Sequence, residues 1–275
     1  MGPSGAGKST LLNLLTLVPS TANVEGDIRL NGHVLTDNLF RRYCAYVPQE
    51  DHLWPFLTCR EIIEYAADFY LGLGHDEKRE RIDSLISDLG LVSCQHTRCG
   101  NQFIQGLSGG QKRRLSLALA LIKQPAVLFL DELTSGLDSF AAAEIMTVVR
   151  RVARATGIVI ICTIHQPSTR VYNEFDTVML LSAGRVAYNG PARKAVDYFA
   201  KATGRAPPDD LSPCEFMLEE INSDFGGPEK KEQVGRLLSA WTQRPAPSLA
   251  VTQPRALPSG GSRETPLVKQ VVENQ

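Results

Sequence analysis

The chain has 275 residues, 43% of them hydrophobic, which suffices for one large domain or two small ones with a real core. Its 29 basic and 30 acidic residues leave a formal net charge of −1, so bulk electrostatics give no reason to bind nucleic acid, and no such partner is expected. The six cysteines (Cys44, Cys59, Cys94, Cys99, Cys162, Cys214) are scattered and no secretory leader precedes them, which points to a reduced, cytosolic setting; no run reaches the about 18 apolar residues of a bilayer span, so the chain itself is read as soluble.

The first element in chain order is a phosphate loop. Residues 2–10, Gly-Pro-Ser-Gly-Ala-Gly-Lys-Ser-Thr, fit GxxxxGK[ST] with Gly2, Gly7, Lys8 and Ser9 at the defining positions. Glycines let successive N–H groups converge on phosphate oxygens, and Ser4, Gly5 and Ala6 complete the cradle. Lys8 suits the β- and γ-phosphates and the Ser9 hydroxyl suits Mg²⁺. Thr10 opens a short apolar helix whose positive end underlies the phosphates. The expected ligand is a nucleoside triphosphate. A phosphate loop ordinarily joins a strand to a helix, and here no strand comes first, so the chain is expected to begin inside a supersecondary unit and, although it has no membrane span, to aggregate or bind nucleotide weakly when expressed alone.

Gly26–Gly32 reads as a strand running into a turn, and Tyr43–Val47 as a short strand stopped by Pro48. Between about Thr58 and Lys123 the pattern turns helical. Thr58 and Glu61 form a capping-box pair, and the helix after them carries Ile62, Ile63, Tyr65, Ala66, Phe69 and Tyr70 on one broad face. A second helix spans Glu77 to Leu89, with Ile82, Leu85 and Ile86 as its apolar positions. Cys94, His96 and Cys99 resemble a metal cluster but supply only three ligands, and are read as ordinary core or surface residues. Leu107-Ser108-Gly109-Gly110-Gln111 opens a further helix, with Ser108 as N-cap and two glycines leaving amides bare at its positive end; this is a second anion site.

Ala126–Leu130 is an apolar strand ending in Asp131 and Glu132. With a phosphate loop upstream, the first carboxylate suits Mg²⁺ and the second could polarise an attacking water. A helix near Asp138–Ala155, a β-branched run Gly157–Ile164 suited to a central parallel strand, a strand Asp176–Leu181 and a closing hairpin over 175–190 follow. Strands alternating with helices imply α/β architecture with a mostly parallel sheet. From about Thr242, Pro, Ser, Thr and Gly accumulate, and 242–275 is expected to be a disordered linker or tail.

LSGGQ lying between a phosphate loop and LDE resembles the signature of ATP-binding-cassette (ABC) ATPases. Further landmarks follow in the family's order: Gln49 as the Q-loop glutamine, Ser135–Asp138 as the D-loop and His165 as the switch histidine. Ile164-His-Gln-Pro-Ser168, Val47-Pro-Gln-Glu-Asp51, Phe175–Ser182, Val196–Phe199 and Ser212–Phe216 are similar to the G subfamily of White/pigment and pleiotropic-drug-resistance types, over roughly residues 1 to 225. Departures are Leu133 where the family has proline, which removes a stiffener from that turn, LSGGQ for the subfamily's VSGGE, and Pro213-Cys-Glu for NPAD; the aromatic position that stacks on adenine is absent.

The resemblance implies a P-loop NTPase cassette with a helical subdomain inserted in an ATPase core. Its parts would be residues 1–57 (core), 58–123 (helical, ending at the signature) and 124–241 (core and C-terminal helices). It implies ATP and Mg²⁺ as cofactors. Glu132, His165 and Gln49 would be the catalytic residues, Ser9, Gln49 and Asp131 the metal ligands, and residues 2 and 4–10 the phosphate site. Ser108, Gly109, Gly110, Gln111 and Asp138 would face a partner's nucleotide. A second cassette, paired head to tail, and a transmembrane domain normally fused C-terminally are the implied partners, with the cassette on the cytoplasmic side of a membrane. A soluble, non-transport ABC ATPase and a catalytically impaired nucleotide-binding fragment are the alternatives.

Overall fold

The computed structural model describes residues 1–19, 23–208, 210–223 and 226–244. The chain divides into two compact units. Met1–Asn23 join the stretch that starts at Thr163, and Val24–Cys162 form the other. The expected linker over 242–275 lies almost wholly outside the described residues.

In the first unit the phosphate loop runs into α1 (Lys8–Leu15) through Gly7, whose φ of 94° suits a residue without a Cβ. The second unit opens with the hairpin β1 (Arg29–Leu30) and β2 (His33–Val34), closed by Asn31 and Gly32 at φ 49° and 87°, the Asn-Gly chemistry of a tight hairpin turn. Then comes α2 (Asp37–Tyr43), which sequence periodicity does not reveal; Thr36 caps it by accepting from Leu39 N.

The second unit's sheet is parallel, in the order β3 (Cys44–Val47), β4 (Val127–Leu130), β5 (Val159–Cys162). Register aligns Val47, Leu130 and Cys162, so the C-terminal strand ends stand side by side. All four residues of β4 are buried, as a strand covered on both faces requires. β5 departs from the expected central strand. Among the described residues it pairs only with β4, and Val159 and Ile161 remain exposed. Gly157, at φ 71°, ends the preceding helix and shortens the strand.

Between β3 and β4 lie α3 (Cys59–Tyr70), α4 (His75–Asp88) and α5 (Gly109–Leu121). The capping box at the head of α3 forms: Thr58 N donates to Glu61 Oε2 (2.8 Å) and Glu61 N to Thr58 Oγ1 (3.3 Å). Thr58 Oγ1 also donates to Glu61 Oε2 (2.9 Å), and the backbone and hydroxyl hydrogen bonds that Thr58 donates hold the Glu61 carboxyl below its ordinary value. The apolar face of α3 is narrower than expected. Cys59, Ile62, Ile63 and Ala67 are buried, whereas Tyr65, Phe69 and Tyr70 are exposed. On a helical wheel Tyr65 and Phe69 fall on the flank of the buried arc, and Tyr65 meets Trp54 there (ring centroids 6.5 Å). Cys94 and Cys99 are buried beside Cys59. Burial pushes the Cys59 thiol up to about 12 and the Cys99 thiol to about 11, so they pack as small protonated hydrophobes.

After β4 comes α6 (Ser139–Thr156). Back in the first unit, α7 (Thr169–Tyr172) leads to the expected hairpin of β6 (Thr177–Ser182) and β7 (Arg185–Pro191). Three helices close that unit: α8 (Ala195–Thr203), α9 (Pro213–Ile221) and α10 (Gly227–Thr242). Its core gathers Leu180, Ala187, Phe199, Phe216, Met217 and Ile221, all fully buried. The carboxylate of Glu220, 1% exposed, is balanced by Arg205 (3.0 Å) and Lys230 (3.5 Å), as a buried charge requires.

Candidate active site

Three glycines shape the phosphate loop, but space is decisive at Gly2. Its φ is 155°, and a Cβ there would lie 2.3 Å from Leu181 O of β6. Leu181 N in turn donates to Met1 O (2.9 Å), so the start of the loop is laced to β6 on both sides of Gly2. Gly2→Ala is therefore expected to destabilise the protein by about 1–3 kcal/mol, the usual cost of overpacking. A thermal melt that matched wild type would refute this.

Lys8 is 8% exposed, and its Nζ donates to Gly2 O (3.0 Å) and Pro3 O (2.9 Å). The loop thus curls around its own cation. Ala6 is buried and tied by Gly184 N donating to Ala6 O (3.2 Å), while Ser4, Gly5, Ser9 and Thr10 face outward. Gly7 offers no side chain to cap α1, so the first-turn amides keep their capacity for an anion. His165 belongs to this same unit and is exposed, just before Gln166 at φ 44°.

The second unit carries the remaining candidates. Asp131 follows the last residue of β4, is 8% exposed, and is fixed by its N–H donating to Val47 O (2.9 Å). The Tyr46 hydroxyl hydrogen-bonds Asp131, and burial, then the carboxylate's charge, push the phenol's pKa up. Tyr46 was not among the sequence candidates. The register could have found it, because it pairs with Phe129, two residues before Asp131 and therefore on the same face.

Glu132 sits at φ 43°, a left-handed conformation that costs a non-glycine residue about 1–3 kcal/mol. Gln49 Nε2 donates to Glu132 Oε2 (3.0 Å) and to Ser135 Oγ (3.4 Å), joining residues 83 positions apart. The turn after Glu132 is firm despite the missing proline. Ser135 N donates to Glu132 O (2.8 Å), and Leu133 is fully buried as an anchor.

At the head of α5, Ser108 and Gln111 form a reciprocal box: Gln111 N donates to Ser108 Oγ (3.3 Å) and Ser108 N to Gln111 Oε1 (2.9 Å). Gln111 therefore shapes the helix start with the atom that could have met a ligand. Ser108 and Gly109 are exposed and Gly110 is half-buried. Asp138 caps α6, accepting from Phe140 N (2.9 Å) and Ala141 N (2.8 Å) through one oxygen. Gln49 and Asp131 in the second unit, and Ser9 in the first, each carry an oxygen of the kind a hard divalent cation such as Mg²⁺ prefers; Gln49 Nε2 donates to Glu132, which leaves its Oε1 as the oxygen it can offer.

Comparison with known proteins gives two family matches: residues 1–135 match the model described as ABC transporter, and residues 165–237 that described as ABC-2 type transporter. Similar proteins include ABC transporter G family member 25 of Arabidopsis thaliana, 41% identical over 81% of this chain and 34% of that protein. The broad substrate specificity ATP-binding cassette transporter of Mus musculus is 38% identical over 82% of this chain and 34% of its own length. An uncharacterized ABC transporter ATP-binding protein/permease of Saccharomyces cerevisiae is 38% identical over 88% of this chain and 20% of its own. The chain spans about a third or less of these relatives. Among the described residues no helix is long and apolar enough to cross a membrane.

Proposed function

Because this chain belongs to the ATP-binding-cassette transporter family, as a cassette of its G subfamily, we propose that it binds and hydrolyses ATP to drive transport through a membrane domain. Lys8 and Ser9 take the phosphates with the loop amides of residues 2 and 4–7 and with Thr10. Ser9, Gln49 and Asp131 would hold Mg²⁺, which would supply charge neutralisation at the phosphate oxygens. Glu132 orients the attacking water as general base, and His165 senses the γ-phosphate. Ser108–Gly110 and Asp138 serve the nucleotide of a second cassette paired head to tail.

The observation that carries this reading is the Gln49–Glu132 hydrogen bond, directly after Asp131 at the end of β4. A carboxylate for water and a carboxylate for metal on successive residues, with a glutamine fixing the first, is an arrangement for phosphoryl transfer to water. The membrane partner is supported by the exposed aromatic flank of Trp54, Phe56, Tyr65 and Phe69, because apolar surface of that kind marks a contact site. With such a partner the cassette lies on the cytoplasmic face of the membrane.

The test is equilibrium ATP binding to the full-length protein. Losing the Lys8 charge-assisted hydrogen bonds should weaken ATP by about 10- to 100-fold in Lys8→Ala. Wild-type affinity in that variant would remove residues 2–10 from the nucleotide site.

A further inference from the structure

The loop that carries Gln49 is gripped from the helix that the signature begins, chiefly by one buried arginine. Arg113 of α5 is 7% exposed. Its Nη1 donates to Pro48 O (3.3 Å) and to Asp51 Oδ1 (3.3 Å), and its Nη2 donates to Gln49 O. Ser116, three residues further along α5, donates from Oγ to the same Asp51 oxygen (2.7 Å). Two carbonyls and a carboxylate of one short loop thus converge on one guanidinium. Arg113 stands four residues past Gly109, about 6 Å along a rigid helix.

We propose that Arg113 is a positioning residue that ties the Gln49 loop to the signature helix, so that a nucleotide engaged at Ser108–Gly110 also sets the Gln49–Glu132 hydrogen bond. This rests on the roles given above to Gln49 and Glu132. The physical reason is the mechanical character of the clamp. A guanidinium presents its donors in a fixed plane, so displacement of α5 moves all three acceptors together. Pro48 and Gln49 come straight after β3, whose parallel pairing with β4 holds the strand end still; the loop's remaining freedom lies where Arg113 grips it. Gln49 Nε2 is then aimed at Glu132 by backbone carbonyls that the signature helix holds. Lysine is a poor substitute, since one ammonium cannot span Pro48, Gln49 and Asp51 in their separate directions.

Three variants of the full-length protein test this. Arg113→Lys keeps the charge. Arg113→Met with Asp51→Asn removes both charges together, so that neither is left buried alone. Gln49→Ala tests the underlying reading. The first measurement is amide hydrogen exchange of peptides covering 47–58 and 107–115, with and without ATP, in a Glu132→Gln background that retains nucleotide. In the parent both peptides should gain protection; in Arg113→Lys and in the double variant the signature peptide should gain it and the 47–58 peptide should not. The second is steady-state ATPase, where kcat should fall about tenfold or more through misplacement of the Gln49–Glu132 pair and KM should stay within about twofold. A merely structural role would alter both peptides without ATP and lower the melting temperature. The proposal is overturned if the 47–58 peptide still follows the signature peptide in both Arg113 variants. If Gln49→Ala retains wild-type turnover, the role of Gln49 fails instead, and the exchange data still judge the clamp.

Discussion

Replacing Glu132 with glutamine is expected to reduce ATP turnover by about 10²- to 10⁴-fold, the range for losing a positioned general base, while ATP stays bound. The substitution preserves shape. The side chain keeps its length, its carbonyl oxygen can still accept from Gln49 Nε2, and the turn remains closed by Ser135 N donating to Glu132 O at 2.8 Å. The left-handed φ of 43° at this residue and the buried Leu133 beside it are backbone and packing features that a glutamine inherits unchanged. What disappears is the negative charge that, in the proposed role, accepts a proton from water. Single-turnover hydrolysis measured with equilibrium ATP binding separates the two effects. A turnover close to wild type would take Glu132 out of its role, and loss of binding would mean that the residue holds nucleotide.

The parts of this site that were legible in the sequence share one physical property: each is a short contiguous string whose spacing is fixed by local backbone geometry. The phosphate loop must turn in a few residues and then start a helix, so its glycines and Lys8 cannot be scattered. Asp131 and Glu132 are legible because β4 is buried on both faces and its apolar run ends abruptly at two carboxylates. The Thr58–Glu61 box follows from a three-residue spacing and the Ser108 cap from its place ahead of two glycines, whereas the reciprocal hydrogen bond from Gln111 came only with the structure. Arg113 was illegible for the opposite reason: its partner Asp51 lies 62 residues away, and a basic residue within Lys112-Arg113-Arg114 reads as a solvated face until packing buries it. Helix α2 escaped notice because Asp37–Tyr43 is only seven residues long, too short to show a period, and is capped by Thr36 with Leu39 where a capping box would have glutamate or glutamine. The exposed Tyr65 and Phe69 show a further limit of periodicity: it fixes the angular width of an apolar arc but not where the neighbouring helices stop covering it.

If Ser108–Gly110 completes the nucleotide site of a second cassette, two inactive proteins should rescue one another. Lys8→Ala removes the phosphate cation, and Gly109→Asp puts a carboxylate where a γ-phosphate would dock. The second variant should fold. A Cβ at Gly109 meets Leu137 Cδ2 at 3.5 Å, an ordinary contact, and an acidic residue in the first turn of α5 favours the helix by about 0.3–1 kcal/mol. Each variant alone has both composite sites spoiled. Mixed in equal amounts, random pairing makes about half of the dimers mixed, and each mixed dimer has one site built from the intact Lys8 of one chain and the intact Gly109 of the other. If the sites turn over independently, the mixture should show roughly a quarter of wild-type ATPase. The readout is turnover of co-expressed full-length variants against each expressed alone, with a doubly substituted Lys8→Ala/Gly109→Asp chain as control. Pairing that control with wild type leaves every mixed dimer without an intact composite site, so only wild-type homodimers turn over and this mixture should show roughly a quarter of wild-type ATPase, against roughly half if each chain served its own nucleotide. Activity in the mixture no higher than the mean of the two variants alone would place the nucleotide and the signature that serves it in one and the same chain.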